Sequence, residues 1–197
     1  AWYLLLCYLI WVISGRKPWP LAFFALNPLV TLSTLVDGHN DVVMMALALA
    51  SFLLVKRRQY WAGVLLLISS IFIKGATLFL TPVFFWCLYA TWKKRTVPWQ
   101  RVWYWSSVAM YVIFFLSPLR EEIYAWYFIW ILTFVALRES FDFLTALSIG
   151  FSFGLPLRFL PFLYWREWGG MTPFVKKIVT FFPPALSGII YAIRKKI

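Results

Sequence analysis

Nine apolar runs fill most of this chain and constrain its fold more than any single motif does. The runs cover residues 1–14, 20–36, 41–55, 60–73, 76–91, 102–117, 123–137, 142–160 and 176–193. Segments of roughly 20 apolar residues cross a bilayer as helices, because a helix satisfies its backbone groups internally. Several runs are shorter than that, which indicates tilted, broken or re-entrant segments. The sequence therefore predicts an all-α fold, a polytopic bundle of transmembrane helices with several short or broken spans.

Proline predicts where some of the runs break. The Asn27-Pro28 pair lies inside the second run, and proline removes a hydrogen-bond donor and clashes with the preceding turn. The same interruption is expected at the prolines near the end of the chain, which are Pro156, Pro161, Pro183 and Pro184.

Composition supports a membrane domain. Hydrophobic residues make up 63% of the chain and charged residues 13%, whereas a soluble domain is about half apolar and a quarter charged. The longest candidate loop, from Thr91 to Arg101, is too short for a soluble domain. We therefore expect one membrane domain over residues 1–197. Because the chain starts inside an apolar run, we also expect it to be a fragment that lacks N-terminal spans.

The formal net charge of +12 has two interpretations, nucleic-acid binding or membrane topology. If each run crosses the membrane once, 13 of the 19 basic residues fall on one side and six on the other. Basic residues concentrate on the cytoplasmic side of membrane proteins. This pattern favours an integral membrane protein without a nucleic-acid partner. It also predicts that the segment Asp37–Asp41, Lys74 and Arg120 face the extracytoplasmic side.

The segment Asp37-Gly38-His39-Asn40-Asp41 gathers two of the seven acidic residues and the only histidine between two apolar runs. One interpretation is an ordinary turn, with Gly38 at the bend and Asn40 or Asp41 as helix N-cap. A turn needs only one capping residue, however, and ionisable groups at membrane depth are costly and usually functional. One histidine with two aspartates is a weak signal for a divalent metal, so we expect no cofactor.

Two further polar features lie in the loops predicted to share that side. Lys74 is the only charged residue between Arg58 and Lys93. It is either a lysine that snorkels from a helix end or a cation that pairs with a lipid-linked phosphate. Arg120 precedes Tyr124 and Trp126. These two residues, together with Tyr127 and Trp130, are either interfacial belt residues or part of a sugar pocket, since aromatic faces stack on pyranose rings.

An ordered set of motifs resembles the GT-C glycosyltransferases, in particular the bacterial polyprenyl-phosphate-mannose-dependent and related hexosyltransferases. The resemblance spans about residues 26–90. Its motifs are Asn27-Pro28-Leu29, Gly38-His39-Asn40-Asp41, Lys56-Arg57-Arg58, Lys74-Gly75-Ala76-Thr77 and Pro82. A looser likeness continues over residues 124–130.

The resemblance implies inverting transfer of a mannose-like hexose from a polyprenyl-phosphate donor to a lipid or glycan acceptor. The reaction would take place among membrane lipids, at the extracytoplasmic face of a bacterial-type cytoplasmic membrane. The family's usual base is an aspartate in the first outer loop, and this chain has no recognisable form of that loop. Asp37 and Asp41 are the candidate bases that remain, to deprotonate the acceptor hydroxyl.

The resemblance and the outward-facing positions together suggest a set of substrate-binding residues: His39, Asn40, Lys74, Arg120, Tyr124 and Trp126. Lys74 and Arg120 would stabilise the leaving lipid phosphate. Two other functions stay open on sequence grounds. Short, proline-broken spans with intramembrane charges also occur in transporters and flippases, and a non-catalytic membrane subunit is the third interpretation.

Overall fold

A computed structural model describes residues 1–119 and 122–195, and every regular element in that part of the chain is helical. The α-helices are α1 (Trp2–Ile13), α2 (Pro18–Ala25), α3 (Pro28–Thr31), α4 (Asp41–Lys56), α5 (Tyr60–Ile73), α6 (Thr81–Trp92), α7 (Trp99–Leu116), α8 (Ile129–Val135), α9 (Phe143–Leu157), α10 (Leu160–Trp165) and α11 (Thr172–Arg194). A π-helical segment (Leu32–Val36) and 3-10 segments (Gly75–Leu80, Ser117–Leu119 and Ala125–Phe128) extend or join them. The predicted all-α fold is confirmed.

Helix length and composition agree with a membrane bundle that has short and broken spans. In the described part of the chain, three helical segments are long and apolar enough to cross a bilayer: Gly75–Trp92, Phe143–Trp165 and Thr172–Arg194. Pro18–Ala25 and Pro28–Val36 form a fourth candidate if the bent pair is counted as one span. Other apolar helices, such as α1 and α5, are shorter than the roughly 20 residues that a straight span needs.

The predicted break at Asn27-Pro28 is confirmed, and the side chain of Asn27 stabilises it. The chain bends by 56° there. The Asn27 side-chain oxygen accepts hydrogen bonds from the backbone N–H groups of Leu29 (3.1 Å) and Val30 (3.5 Å). This is N-cap geometry with proline in the first helical turn. The Asn27 amide also donates to Ser152 Oγ in α9 at 2.9 Å, which ties the break to a distant helix.

The prolines near the end behave in two ways. Pro156 and Pro161 lie on either side of the short gap between α9 and α10, as expected. The expectation that Pro183 and Pro184 interrupt the last run is wrong, because α11 runs through both of them.

Close packing of α9 against α11 accounts for that difference. A Cβ atom at Gly150 would lie 2.6 Å from the carbonyl oxygen of Pro183, and one at Gly154 would lie 2.5 Å from that of Thr180. Two glycines therefore let the helix backbones touch. An internal proline costs a helix about 3 kcal/mol, and we infer that the contacts of this helix pair offset that cost.

The centre of the bundle is formed by α4 and α8. All seven residues of α8 are buried. On α4, Phe52 meets the rings of Phe84, Trp103 and Phe134 edge-on, with centroids 5.4–6.0 Å apart. This core fixes the relative positions of the first residue of α4, Asp41, and the second residue of α8, Trp130.

Contacts between loops bring together residues that the sequence assigns to one side. At one end, Lys17 forms an ion pair with Glu139 (2.7 Å). At the other end, the residues around Asp41 meet Lys74 and residues 124–130. The single crossing of each run and the cytoplasmic location of the basic-rich side stay predictions.

Candidate functional site

Asp41 is a fully buried carboxylate whose two oxygens both accept hydrogen bonds. Its side chain has no exposed surface. Trp130 Nε1 donates to Oδ1 at 2.6 Å, and Lys74 Nζ lies 3.2 Å from both oxygens. A charge in an apolar interior is tolerated when it is paired and hydrogen-bonded, and these two donors meet that requirement. The arrangement leaves Asp41 poorly placed to take a proton from a substrate.

Lys74 joins α5 to the 3-10 segment Gly75–Leu80, in an extended backbone conformation. Its ammonium group lies 4.2 Å from the ring centroid of Tyr127 and 5.7 Å from that of Trp130. Aromatic faces attract cations at such distances. Lys74 is thus a cation that pairs with buried Asp41 while 30% of its own side chain stays exposed.

A second set of rings lies beside this pair. His39 stacks on Trp126 with centroids 3.9 Å apart, and Trp126 stacks on Tyr124 at 4.6 Å. The three rings form one stack, here called the aromatic stack. Trp126 also meets Tyr127 edge-on at 6.2 Å, so the stack adjoins the ring under Lys74. His39 and Tyr124 are both half-buried, and Tyr124 also meets Tyr127 edge-on at 5.4 Å.

The turn that carries His39 follows the sequence prediction in part. Gly38 has φ of 68°, a conformation that glycine adopts without steric cost. Asn40 occupies the N-cap position of α4, but its side chain makes no capping hydrogen bond. Asp37 and Asn40 are exposed, whereas Asp41 is buried. The two aspartates of this turn therefore occupy opposite environments.

The structure brings together most of the residues selected from the sequence. These are His39, Asp41, Lys74, Tyr124 and Trp126, with Asp37 and Asn40 on the exposed part of the same turn. Arg120 lies outside the described residues. Among the described residues, no group of three or more histidine, cysteine, aspartate or glutamate side chains could hold a metal ion.

Sequence reasoning missed Trp130 as the partner of Asp41. Tyr127 and Trp130 are three positions apart and stack with centroids at 4.4 Å, which is the spacing of neighbours on one helical face. That spacing was visible in the sequence. The pairing of Trp130 with a carboxylate 89 residues away was not.

A cluster of charged residues was also missed. Glu122 accepts hydrogen bonds from Arg158 (2.6 Å) and from Lys176. Partial burial alone would raise the pKa of the Glu122 carboxyl, but the hydrogen bonds and charges of Lys176 and Arg158 hold that pKa below its ordinary value. The three residues come from three separate loops or helices, so no local pattern links them.

Comparison with known proteins supports a sugar-transfer function. Residues 3–90 match a family model described as alpha-(1->6)-mannopyranosyltransferase, N-terminal domain, of the MptA_B family. The match covers less than half of the chain and includes the Asp37–Asp41 turn and Lys74, but not residues 124–130. Neither a search of curated proteins nor a search of solved structures finds a significant match. The similarity supports a glycosyltransferase of the mannosyltransferase type, in a chain whose helices suit a membrane.

Proposed function

We propose that the chain forms part of a GT-C type membrane glycosyltransferase that moves a mannose-like hexose from a polyprenyl-phosphate donor to an extracytoplasmic acceptor. One observation carries the proposal. Lys74, held by buried Asp41 over the face of Tyr127, lies next to the aromatic stack. A partly exposed cation beside aromatic rings suits a ligand that has a phosphate bonded to a sugar.

In this proposal, Lys74 contacts the donor phosphate and stabilises the negative charge that develops as the lipid phosphate leaves. Arg120 has the same role on sequence grounds. The aromatic stack receives the hexose, and His39 and Asn40 offer polar groups to the sugar hydroxyls.

The two aspartates of the turn take different roles. Asp41 is a positioning residue, because it is buried and already accepts hydrogen bonds from Lys74 and Trp130. Asp37 is exposed and is the candidate general base within this chain, since a base must reach the acceptor hydroxyl.

The test is sugar transfer from radiolabelled polyprenyl-phosphate mannose, measured in membranes that contain the full-length protein. Lys74→Met should raise KM for the donor about tenfold or more, as expected when a charge-assisted hydrogen bond is lost, while KM for the acceptor stays nearly unchanged. Lys74→Arg keeps the charge and should recover part of the donor affinity. Lys93→Met, at the opposite end of the bundle, is the control.

Equal effects of Lys74→Met on donor and acceptor would make Lys74 a structural residue and remove it from the donor site. Movement of the labelled lipid between leaflets without transfer of the sugar would instead support a transporter or flippase. The similarity to a mannosyltransferase family favours transfer.

A further inference from the structure

A cavity of about 290 Å³ lies near the start of α11, outside residues 3–90. Its lining includes Glu122, Arg158, Trp168, Thr172, Lys176 and Lys177. Glu122 places it at the same end of the bundle as Tyr124, two residues further along the chain. Nothing in the sugar-transfer scheme uses this cavity, so its chemistry has to be explained separately.

The cavity carries an excess of positive charge. Three cations, Arg158, Lys176 and Lys177, and one carboxylate, Glu122, line it, a formal excess of two positive charges. The side chains of Arg158 and Lys176 are only 8% and 14% exposed. Cations removed from water need an anion or acceptors close by. The single negative charge of Glu122 balances only one of the two positive charges of Arg158 and Lys176.

One buried hydrogen-bond donor at the cavity is also left over. Arg158 donates to Glu122 and to Thr180 Oγ1 (3.3 Å). Thr172 is 1% exposed, and its hydroxyl has no hydrogen-bond partner among the described residues. A buried polar group without a partner costs roughly 1–3 kcal/mol, so this hydroxyl indicates a missing acceptor.

Thr172 is, in addition, the first residue of α11, a helix of 23 residues. In α11 the backbone N–H of Thr172 already donates to the carbonyl oxygen of Gly169 (3.1 Å), and Pro173 has no N–H. The helix start therefore contributes the positive end of the helix dipole, which favours an anion. The helix start, the unpartnered hydroxyl and the surplus cations therefore meet at one cavity. All three favour a negatively charged group with several acceptor oxygens.

We propose that this cavity binds a phosphate group. Arg158, Lys176 and Lys177 supply the charge, the Thr172 hydroxyl supplies a donor, and the N-terminus of α11 adds the positive end of its dipole. Glu122 competes for the same two buried cations. The group is carried either by an anionic phospholipid headgroup or by a free phosphate. The site is separate from Lys74, so this proposal does not depend on the proposed sugar transfer.

Two probes distinguish the sources, both applied to the purified chain in a neutral detergent. Phosphorus NMR line broadening measures the affinity for inorganic phosphate. Native mass spectrometry compares the retention of phosphatidylglycerol with that of phosphatidylcholine, in which the positive charge of choline neutralises the phosphate. Binding of the first probe alone assigns a free phosphate, and selective retention of phosphatidylglycerol assigns a lipid headgroup. Binding of neither probe overturns the proposal.

The decisive variant is Thr172→Val, which removes a donor without changing the charge. It should weaken binding about tenfold, in line with loss of a hydrogen bond to a charged group, and Thr172→Ser should bind like the wild type. Because the hydroxyl has no partner within the described protein, folding should not suffer. Glu122→Gln removes the competing carboxylate and should tighten binding.

Lys93→Gln removes one positive charge at the opposite end of the bundle and serves as the matched control. Its affinity for the probe should stay within about twofold of the wild-type value. If Lys93→Gln and Lys177→Gln weaken binding equally while Thr172→Val has no effect, the probe binds to the overall charge of the protein and the cavity is not a site.

Discussion

The buried ion pair between Asp41 and Lys74 gives the strongest prediction for the fold. The ammonium nitrogen lies 3.2 Å from each carboxylate oxygen, and the carboxylate is fully buried. With an effective dielectric constant of about 20, two unit charges at that distance attract by roughly 5 kcal/mol. Desolvation offsets part of this attraction, so single substitutions reveal less about the pair than a double-mutant cycle does.

The two single substitutions should have unequal costs. Lys74→Met leaves a carboxylate buried without its counter-charge, which typically costs about 3–5 kcal/mol of unfolding free energy. Asp41→Asn keeps an acceptor for Trp130 and leaves a lysine that is 30% exposed and can reach water. Its cost should be about 1–2 kcal/mol. The double variant should cost less than the sum, with a coupling free energy of at least about 2 kcal/mol.

The unfolding free energies are measured on the detergent-solubilised chain in mixed micelles, as the fraction of denaturing detergent is increased. Circular dichroism monitors the loss of helix. The control cycle uses Lys17→Met and Glu139→Gln, an ion pair whose side chains are 55% and 59% exposed. Such exposed pairs contribute about 0–1 kcal/mol. If the losses of unfolding free energy from the Asp41 and Lys74 substitutions add up in the double variant, the two charges do not stabilise each other. Asp41 would then not be a positioning residue for Lys74.

Three further predictions address other parts of the molecule. The lowered pKa of Glu122 means that its ion pairs stabilise the fold above the carboxyl's ordinary pKa and are lost as pH falls through the lowered value. Glu122→Gln should therefore reduce the loss of unfolding free energy at acid pH. The reduction should be less than about 1 kcal/mol, because half of the Glu122 side chain is exposed and its charge is screened by solvent. An unchanged acid part of the stability-pH curve would contradict this. Gly150→Ala should destabilise the chain by about 1–3 kcal/mol through overpacking of α9 on α11. Gly169→Ala is the control and should have no such effect, because a Cβ atom there would meet nothing within 4 Å. Equal effects of the two substitutions in denaturant titrations would refute the helix contact. Tyr124→Ala removes one end of the aromatic stack and should raise KM for the sugar donor more than it lowers kcat, and the reverse split would exclude a binding role.

Features that depend on local chemistry could be predicted from the sequence. Hydrophobic runs located the helices, since burial in lipid and hydrogen bonding within each helix are local requirements. The break at Asn27-Pro28 was predictable because a single residue pair creates it. The positive φ of Gly38 was predictable for the same reason.

Features that depend on distant partners could not be predicted. Trp130 reaches Asp41 across 89 residues, and Arg158 reaches Glu122 across 36. Neither pairing leaves a local pattern. The predicted interruption at Pro183 and Pro184 was wrong for the same reason, since α11 packs closely on two glycines of a distant part of the chain.

The two cationic features at this end of the bundle differ in how much of their charge is already neutralised. Lys74 has one carboxylate partner, so the pair is formally neutral. The cavity at the start of α11 keeps two uncompensated positive charges. A phosphate group therefore gains more from charge alone in the cavity, whereas binding at Lys74 depends on geometry and on the neighbouring rings. It follows that raising the salt concentration should weaken phosphate binding in the cavity more than donor binding at Lys74, because screening acts on net charge.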